Sequence, residues 1–198
     1  VVEDMAELLA ERPELSVSIN FAAADLTDGR LVERLQRASA LAGVPGRQFG
    51  IELTERAAGN DPRVRATLAA AREAGHKVAI DDFGVGYSNL GYLQTMPVDY
   101  LKVDKSFTDT VGTGSVRASI VPQILDMAGT LDLGIVVEGL ETEPQVAYFA
   151  GRGVCFGQGW LFAPAMPATT FFRSWLEDWE ADAAAEAAKG PAVAAPIA

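Results

Sequence analysis

The sequence predicts an α/β fold in which parallel strands curl toward a barrel beneath a layer of helices. Three observations predict it. Six short apolar runs alternate with amphipathic helical patterns in βαβα order, and parallel neighbours need such crossovers. The first run leads into "INFAAADL", which lacks the glycine-rich turn that opens a dinucleotide-binding sheet, so a barrel is favoured over an open doubly wound sheet. Polar residues recur where the runs end, and in a parallel barrel those ends converge on one mouth.

Each element has a local reason. Residues Val2 to Arg12 carry a helical pattern, and "LSVSIN" (15–20) reads as the first strand. "LVERLQRASALAG" is an amphipathic helix stopped near Gly43, followed by the strand "FGIELTE". Asp61 and Pro62 supply an N-cap and a first-turn proline for the helix "RVRATLAAAREAG". "KVAIDD" is the third strand, "SNLGYLQTM" a helical turn and "DYLKVD" the fourth strand. A helix covers about Ser115 to Leu131, with Pro122 as a kink site, before the strand "LGIVVEG". Thr142 caps "EPQVAYFAG", "VCFGQGWLF" is the last strand, and "TTFFRSWLEDWEADA" is a closing amphipathic helix with Trp175 and Trp179 on its packing face. Residues 1–180 thus read as one barrel domain and 181–198 as an Ala-rich tail or linker.

Composition narrows the chemistry. With 49% hydrophobic residues in 198, one domain with a real core is expected, and no apolar run is long enough to span a bilayer. The chain opens without Met inside a helical pattern, which points to a piece of a longer protein. A single cysteine, Cys155, read as core, leaves no intrachain disulfide or cysteine-rich zinc site. A single histidine, His76, read as an exposed cap before a strand, removes most histidine-based catalysis. The net charge of −11 argues against DNA, RNA or anionic lipid as a nonspecific partner. An anionic small substrate stays compatible if bound cations invert the local field.

The strand-end residues are Asn20, Glu52, the pair Asp81 and Asp82, Lys102 with Asp104, Glu138 and, within the last strand, Gln158. Alternation puts Ser18 with Asn20, Glu52 with Thr54, Lys102 with Asp104 and Val136 with Glu138 on common faces. Any one of these residues alone reads as a solvated turn or a cap; six coincident positions make a pocket floor. Four or five carboxylates there cannot all stay ionised without cations, and oxygen-only donors suit Mg²⁺ or Mn²⁺ rather than zinc. Two such ions sharing a carboxylate form a clamp for phosphodiester cleavage. A strand ending between Asp81 and Asp82 would let the first bridge both ions while the second turns to one. Alternation points Glu55 and Glu141 away from the lumen, and Gly84 and Gly86 mark a mobile loop after the aspartates.

The segments "SVSIN", "IELTER", "AIDDFGVGYSNLGYLQTMPVDYLKVDKSF", "IVVEGLETEPQ" and "GVCFGQGWLFAPAMP", in this order from about Ser16 to Pro167, resemble an EAL-type cyclic di-GMP phosphodiesterase domain. The resemblance implies a modified (β/α)8 TIM-type barrel that uses Mg²⁺ or Mn²⁺, two ions, to hydrolyse cyclic di-GMP to linear 5′-phosphoguanylyl-guanosine. It implies Asn20 and Glu52 as ligands of the first metal, Asp81 as the bridge, and Asp82 and Glu138 as ligands of the second, with Glu138 also a candidate general base. Lys102 resembles the residue that polarises the attacking water, Gln158 one near that water, and Glu55 the brace of the loop Phe83 to Ser88, which the family links to metal binding and dimerisation. Asp104, Phe83, Gly84, Gly86 and Glu141 resemble substrate-binding or loop positions. The implied reaction is in-line attack of activated water on one phosphorus with loss of the 3′-oxygen. Family precedent further implies a homodimer and a cytoplasmic domain joined to an upstream sensor or diguanylate cyclase-like domain, in some relatives membrane-anchored.

The chain departs from the family pattern at two places. Val85 stands where the family usually has Thr, and the strand bearing Glu-Ala-Leu is absent; "ELLAER" (7–12) reads as helix. About six of eight strands are therefore expected, with one first-metal glutamate missing and an open side with unpaired edges. The alternative reading is a degenerate EAL domain that acts as a non-hydrolytic cyclic di-GMP receptor or protein-interaction module. A third, an unrelated metal-dependent barrel hydrolase, requires every segment to match by chance.

Overall fold

The computed structural model describes residues 2–59, 61–84, 90–113, 116–154 and 156–171. Val85, Gly86 and the rest of the loop through Asn89, Cys155, and the chain after Phe171 with Trp175, Trp179 and the Ala-rich tail lie outside the described residues. In chain order the elements are α1 (Val2–Glu11), β1 (Val17–Asn20), α2 (Ala23–Thr27), α3 (Leu31–Ala42), a 3₁₀ turn (Gly46–Gln48), β2 (Phe49–Thr54), α4 (Glu55–Ala58), α5 (Pro62–Glu73), β3 (Lys77–Phe83), α6 (Leu90–Leu93), β4 (Tyr100–Val103), α7 (Lys105–Thr108), α8 (Val116–Thr130), β5 (Gly134–Val137), α9 (Glu143–Ala150) and β6 (Phe156–Gly157).

The six strands pair in sequence order, all parallel, and the sheet curls into a half-barrel whose edges are β1 and β6. Sequence order is what right-handed βα crossovers of short length produce. "ELLAER" is helical, as read, within and just beyond α1. The predicted caps are in place: Asp61 Oδ1 accepts from Arg63 N at 2.8 Å with Pro62 at N1, and Gly43 ends α3 in the left-handed region. Helix α8 runs on through Pro122.

The main core lies between the sheet and the helices. Ile51, Leu53, Val78, Ile80, Leu101 and Val103 from the strands meet Leu35, Val64, Leu68 and Val121 from the helices. At about 25 cal/mol per Å² of apolar surface removed from water, this layer is the dominant stabilising term and fixes which strand faces are left for the barrel interior. A smaller cluster of Leu9, Val44 and Phe49 seats α1, and Gln48 Nε2 locks it by donating to the carbonyls of Leu9 at 2.7 Å and Arg12 at 2.8 Å.

Three expectations are corrected. His76 is buried, at 1% exposure: its Nδ1 lies 3.0 Å from the Phe49 carbonyl oxygen, across from the strand it precedes. Since a carbonyl only accepts, Nδ1 carries the proton in that contact. Among the described residues the last strand is Phe156–Gly157 and does not run on through Gln158: the backbone of Leu140 bonds to Gln158 O at 3.1 Å and Leu161 N at 3.0 Å, and Leu140 leaves no room for a Cβ at Gly157 or Gly159. The third strand does not end between the aspartates but continues to Phe83.

Candidate active site

The site is set by a β-bulge. Ile80 pairs with Leu101 and Phe83 with Val103, so Asp81 and Asp82 together face the single residue Lys102. On the other side β3 stays in register with β2 through Thr54 and Asp81. Asp82 absorbs the extra residue with φ 55°, a left-handed backbone that aspartate tolerates better than most side chains.

Lys102 is the hub. It is 3% exposed, and its Nζ lies 2.8 Å from Glu52 Oε2, 3.1 Å from Asp81 Oδ1 and 2.6 Å from Glu138 Oε1. Gln158 Nε2 donates to the same Glu138 oxygen at 2.9 Å. Asn20 is directly beside Glu52 in the β1–β2 register and is exposed. Each residue arrives from a different strand end: β1, β2, β3, β4, and the residues just past β5 and β6. Asp81, Asp82 and Glu138 each offer an oxygen within 4.8 Å of the others, a spacing a metal ion fits.

The electrostatics follow from this crowding. Burial pushes Glu138 up to about 7, against the hydrogen bond and charge of Lys102 and with the help of Asp81. Burial alone would lower the ammonium of Lys102, but its hydrogen bonds with Glu138 and Glu52, and their charges, hold it above its ordinary value. Asp82 is raised by burial and by the charges of Asp81 and Asp104, with Lys102 opposing.

Other expected residues take supporting places. Asp104 shares the neighbourhood of Asp82, but its carboxylate caps α7 by accepting from Ser106 N at 2.9 Å. Glu55 belongs to no strand; it opens α4, where Thr54 Oγ1 accepts from Ala57 N at 3.2 Å. Phe83 is buried in the main core, and Gly84 turns with φ 92° against the ring of Phe107. Glu141 Oε1 is paired to Lys105 Nζ at 2.7 Å. Sequence reasoning missed Lys105 and its neighbour across the turn, Gly139; the one signal was the run "VEGLE", a glycine between two acids. A cavity of about 750 Å³ opens beside the cluster, between α1 and β1 on one bank and residues 157–168 on the other, with Glu138 and Gln158 in its wall and Trp160 on its rim.

Together these features define a class: a parallel α/β half-barrel with a mixed carboxylate, amide and lysine centre at its C-terminal mouth. The EAL domain family model matches residues 1–165, and the chain belongs to that family. It is 42% identical over 178 residues to the probable cyclic di-GMP phosphodiesterase PdeB of Escherichia coli K12, covering 89% of this chain and 33% of that protein. The chain thus spans about a third of that relative's length. Among solved structures, the PaMucR phosphodiesterase in complex with c-di-GMP is 31% identical with a TM-score of 0.79, over 86% of this chain and 70% of that one. A manganese and cyclic di-GMP complex of Klebsiella pneumoniae BlrP1 is 31% identical with a TM-score of 0.69, over 82% of this chain and 43% of that one.

Proposed function

We propose that this domain belongs to a phosphodiesterase that hydrolyses cyclic di-GMP to 5′-phosphoguanylyl-guanosine with Mg²⁺ or Mn²⁺. The observation that carries the reading is the convergence of Glu52, Asp81 and Glu138 on Lys102 at a bulge that adds Asp82, in a chain of the EAL family. The donors are all oxygens, the chemistry of hard divalent cations, and a related structure holds manganese with cyclic di-GMP.

Asn20, Glu52, Asp81, Asp82 and Glu138 are the residues that would hold two ions. Bound divalent cations supply neutralisation of the phosphodiester charge and a lowered pKa for water. Lys102 Nζ, with its three carboxylate contacts, fixes these ligands relative to one another and stays protonated as a donor. Glu138, raised to about 7, is suited to take up a proton near neutral pH, and Gln158 Nε2 holds its Oε1 in place. On the family pattern, the cavity at the open side would take two further strands not seen among the described residues, and these would bring the remaining first-metal glutamate. Homodimerisation and an upstream sensor or cyclase-like domain belong to the same proposal, on family precedent. Among the described residues no helix is long and apolar enough to cross a membrane.

The test is incubation of the whole protein with cyclic di-GMP and Mg²⁺ or Mn²⁺, followed by separation of the nucleotides. The linear dinucleotide is expected. Measurable binding without any linear product would overturn the enzyme and favour a receptor.

A further inference from the structure

We propose that Lys105 is a positioning residue that sets Glu138 by clamping the turn Gly139–Glu141; this rests on the phosphodiesterase reading above. Glu138 lies just past β5, held on its inner side by its own backbone N–H bonding to Val103 O at 3.0 Å. The next residue, Gly139, reverses the chain with φ 67°, and a side chain there would collide with Cβ, Cγ and Cδ of Lys105. The methylene stem of Lys105 therefore lies directly on the turn. Its ammonium reaches past it to Glu141 Oε1 at 2.7 Å, and is steadied by Asp109 Oδ1, the residue after α7, at 2.9 Å.

The turn is anchored from its far end too. Gln145 Oε1 accepts from the N–H groups of Glu141 and Thr142, both at 2.9 Å, while Gln145 Nε2 donates to Thr108 O at 3.3 Å. The turn after β5 is thus tied to α7 at two points, and α7 begins three residues beyond Lys102 with Asp104 as its cap. Two carriers of the site, Lys102 on β4 and Glu138 after β5, are held in one frame, and Lys105 is its charged fastener. Both of its ion pairs are half-exposed, so they add little to global stability. Their effect is geometric, and reacting groups are sensitive to displacements of about an ångström.

The experiment compares wild type, Lys105→Met and Lys105→Arg in the whole protein. Methionine keeps an unbranched stem and removes the charge; arginine restores the charge. For Lys105→Met, kcat is expected to fall roughly tenfold or more with KM for cyclic di-GMP little changed. Mn²⁺ affinity, titrated without substrate, is expected to weaken in step, with an unaltered circular dichroism melt, and Lys105→Arg is expected to recover both. Unchanged kcat and Mn²⁺ affinity in Lys105→Met would overturn the inference. So would a rise in KM alone, which places the ammonium against the substrate, or a loss that follows the fraction of unfolded protein. A wild-type protein that makes no linear product overturns the phosphodiesterase reading instead, and the Mn²⁺ titration still decides the role of Lys105.

Discussion

Replacing Lys102 with Met removes the ammonium that contacts three carboxylates at the centre of the cluster, and the structure sets the size of the effect. The ammonium is 3% exposed and lies within 2.6–3.1 Å of three carboxylates. Removing one partner of a buried ion pair costs about 3–5 kcal/mol, because the other charge is left uncompensated. Here the low end applies: Glu138, already raised to about 7, can take up a proton and shed part of the penalty. A loss of about 3 kcal/mol is expected in a chelated sample at pH 7.5. For a domain of this size each kcal/mol moves Tm by roughly 2–4 °C, so the melt should fall by about 6–12 °C. An ion at a hundred times its Kd returns about 2.7 kcal/mol, so saturating Mn²⁺ should recover most of the shift if the carboxylates bind it. Thermal unfolding followed by circular dichroism, with EDTA and with Mn²⁺, reads both numbers. Lys102→Met/Glu138→Gln, with one charge fewer, should melt above the single variant in EDTA. A Lys102→Met protein that melts with wild type in EDTA would refute the view that the lysine offsets the carboxylate repulsion.

Two further outcomes follow from the site. The folded pKa of Glu138 lies above the ordinary carboxylate value, so its contribution to the stability of the chelated protein is full below about pH 4 and lost as pH rises through about 7. In the proposed site its ionised form would be the ligand, so Mn²⁺ affinity should strengthen as pH rises from 6 to 8; a titration flat across that range speaks against Glu138 as a ligand. Gly139→Ala places a β-carbon in a left-handed backbone at a cost of about 1–2 kcal/mol and drives Lys105 off the turn, so both Tm and turnover should drop. A variant with wild-type turnover would mean the turn does not hold Glu138.

Much of the architecture was legible because local and tertiary signals agree. The Asp61–Pro62 start and the Gly43 stop are cap chemistry, and strand runs next to amphipathic helices leave few topologies. The gathering of the strand-end residues into one candidate site was legible because strand ends of a parallel barrel share one mouth. What escaped was set by contacts distant in sequence. His76 is buried where a carbonyl on β2, 27 residues away, accepts a hydrogen bond from its Nδ1. The Lys105–Glu141 pair spans 36 residues and has no periodic signature. The last strand does not run on through Gln158, and Leu140 occupies the space beside Gly157 and Gly159, which no pattern within "VCFGQGWLF" reveals.

The bulge resolves what two adjacent carboxylates do on an apolar strand. In a regular strand Val78, Ile80 and residue 82 share the face turned to the helices, so Asp82 would point into the main core. A carboxylate there, without a partner, costs several kcal/mol or gives up its charge. The extra residue opposite Lys102 changes the count, so that Phe83 rather than Asp82 follows Val78 and Ile80 into the core. Asp82 is left exposed, close enough to Asp81 and Glu138 to share an ion. The choice of side chain fits the backbone as well as the chemistry: at φ 55° aspartate is among the few residues other than glycine that the left-handed region admits readily. Phe83 on the core side and Lys102 on the lumen side then hold the bulge from both faces. Core packing and the geometry of the carboxylate cluster are consequently one constraint, satisfied by inserting a single acidic residue.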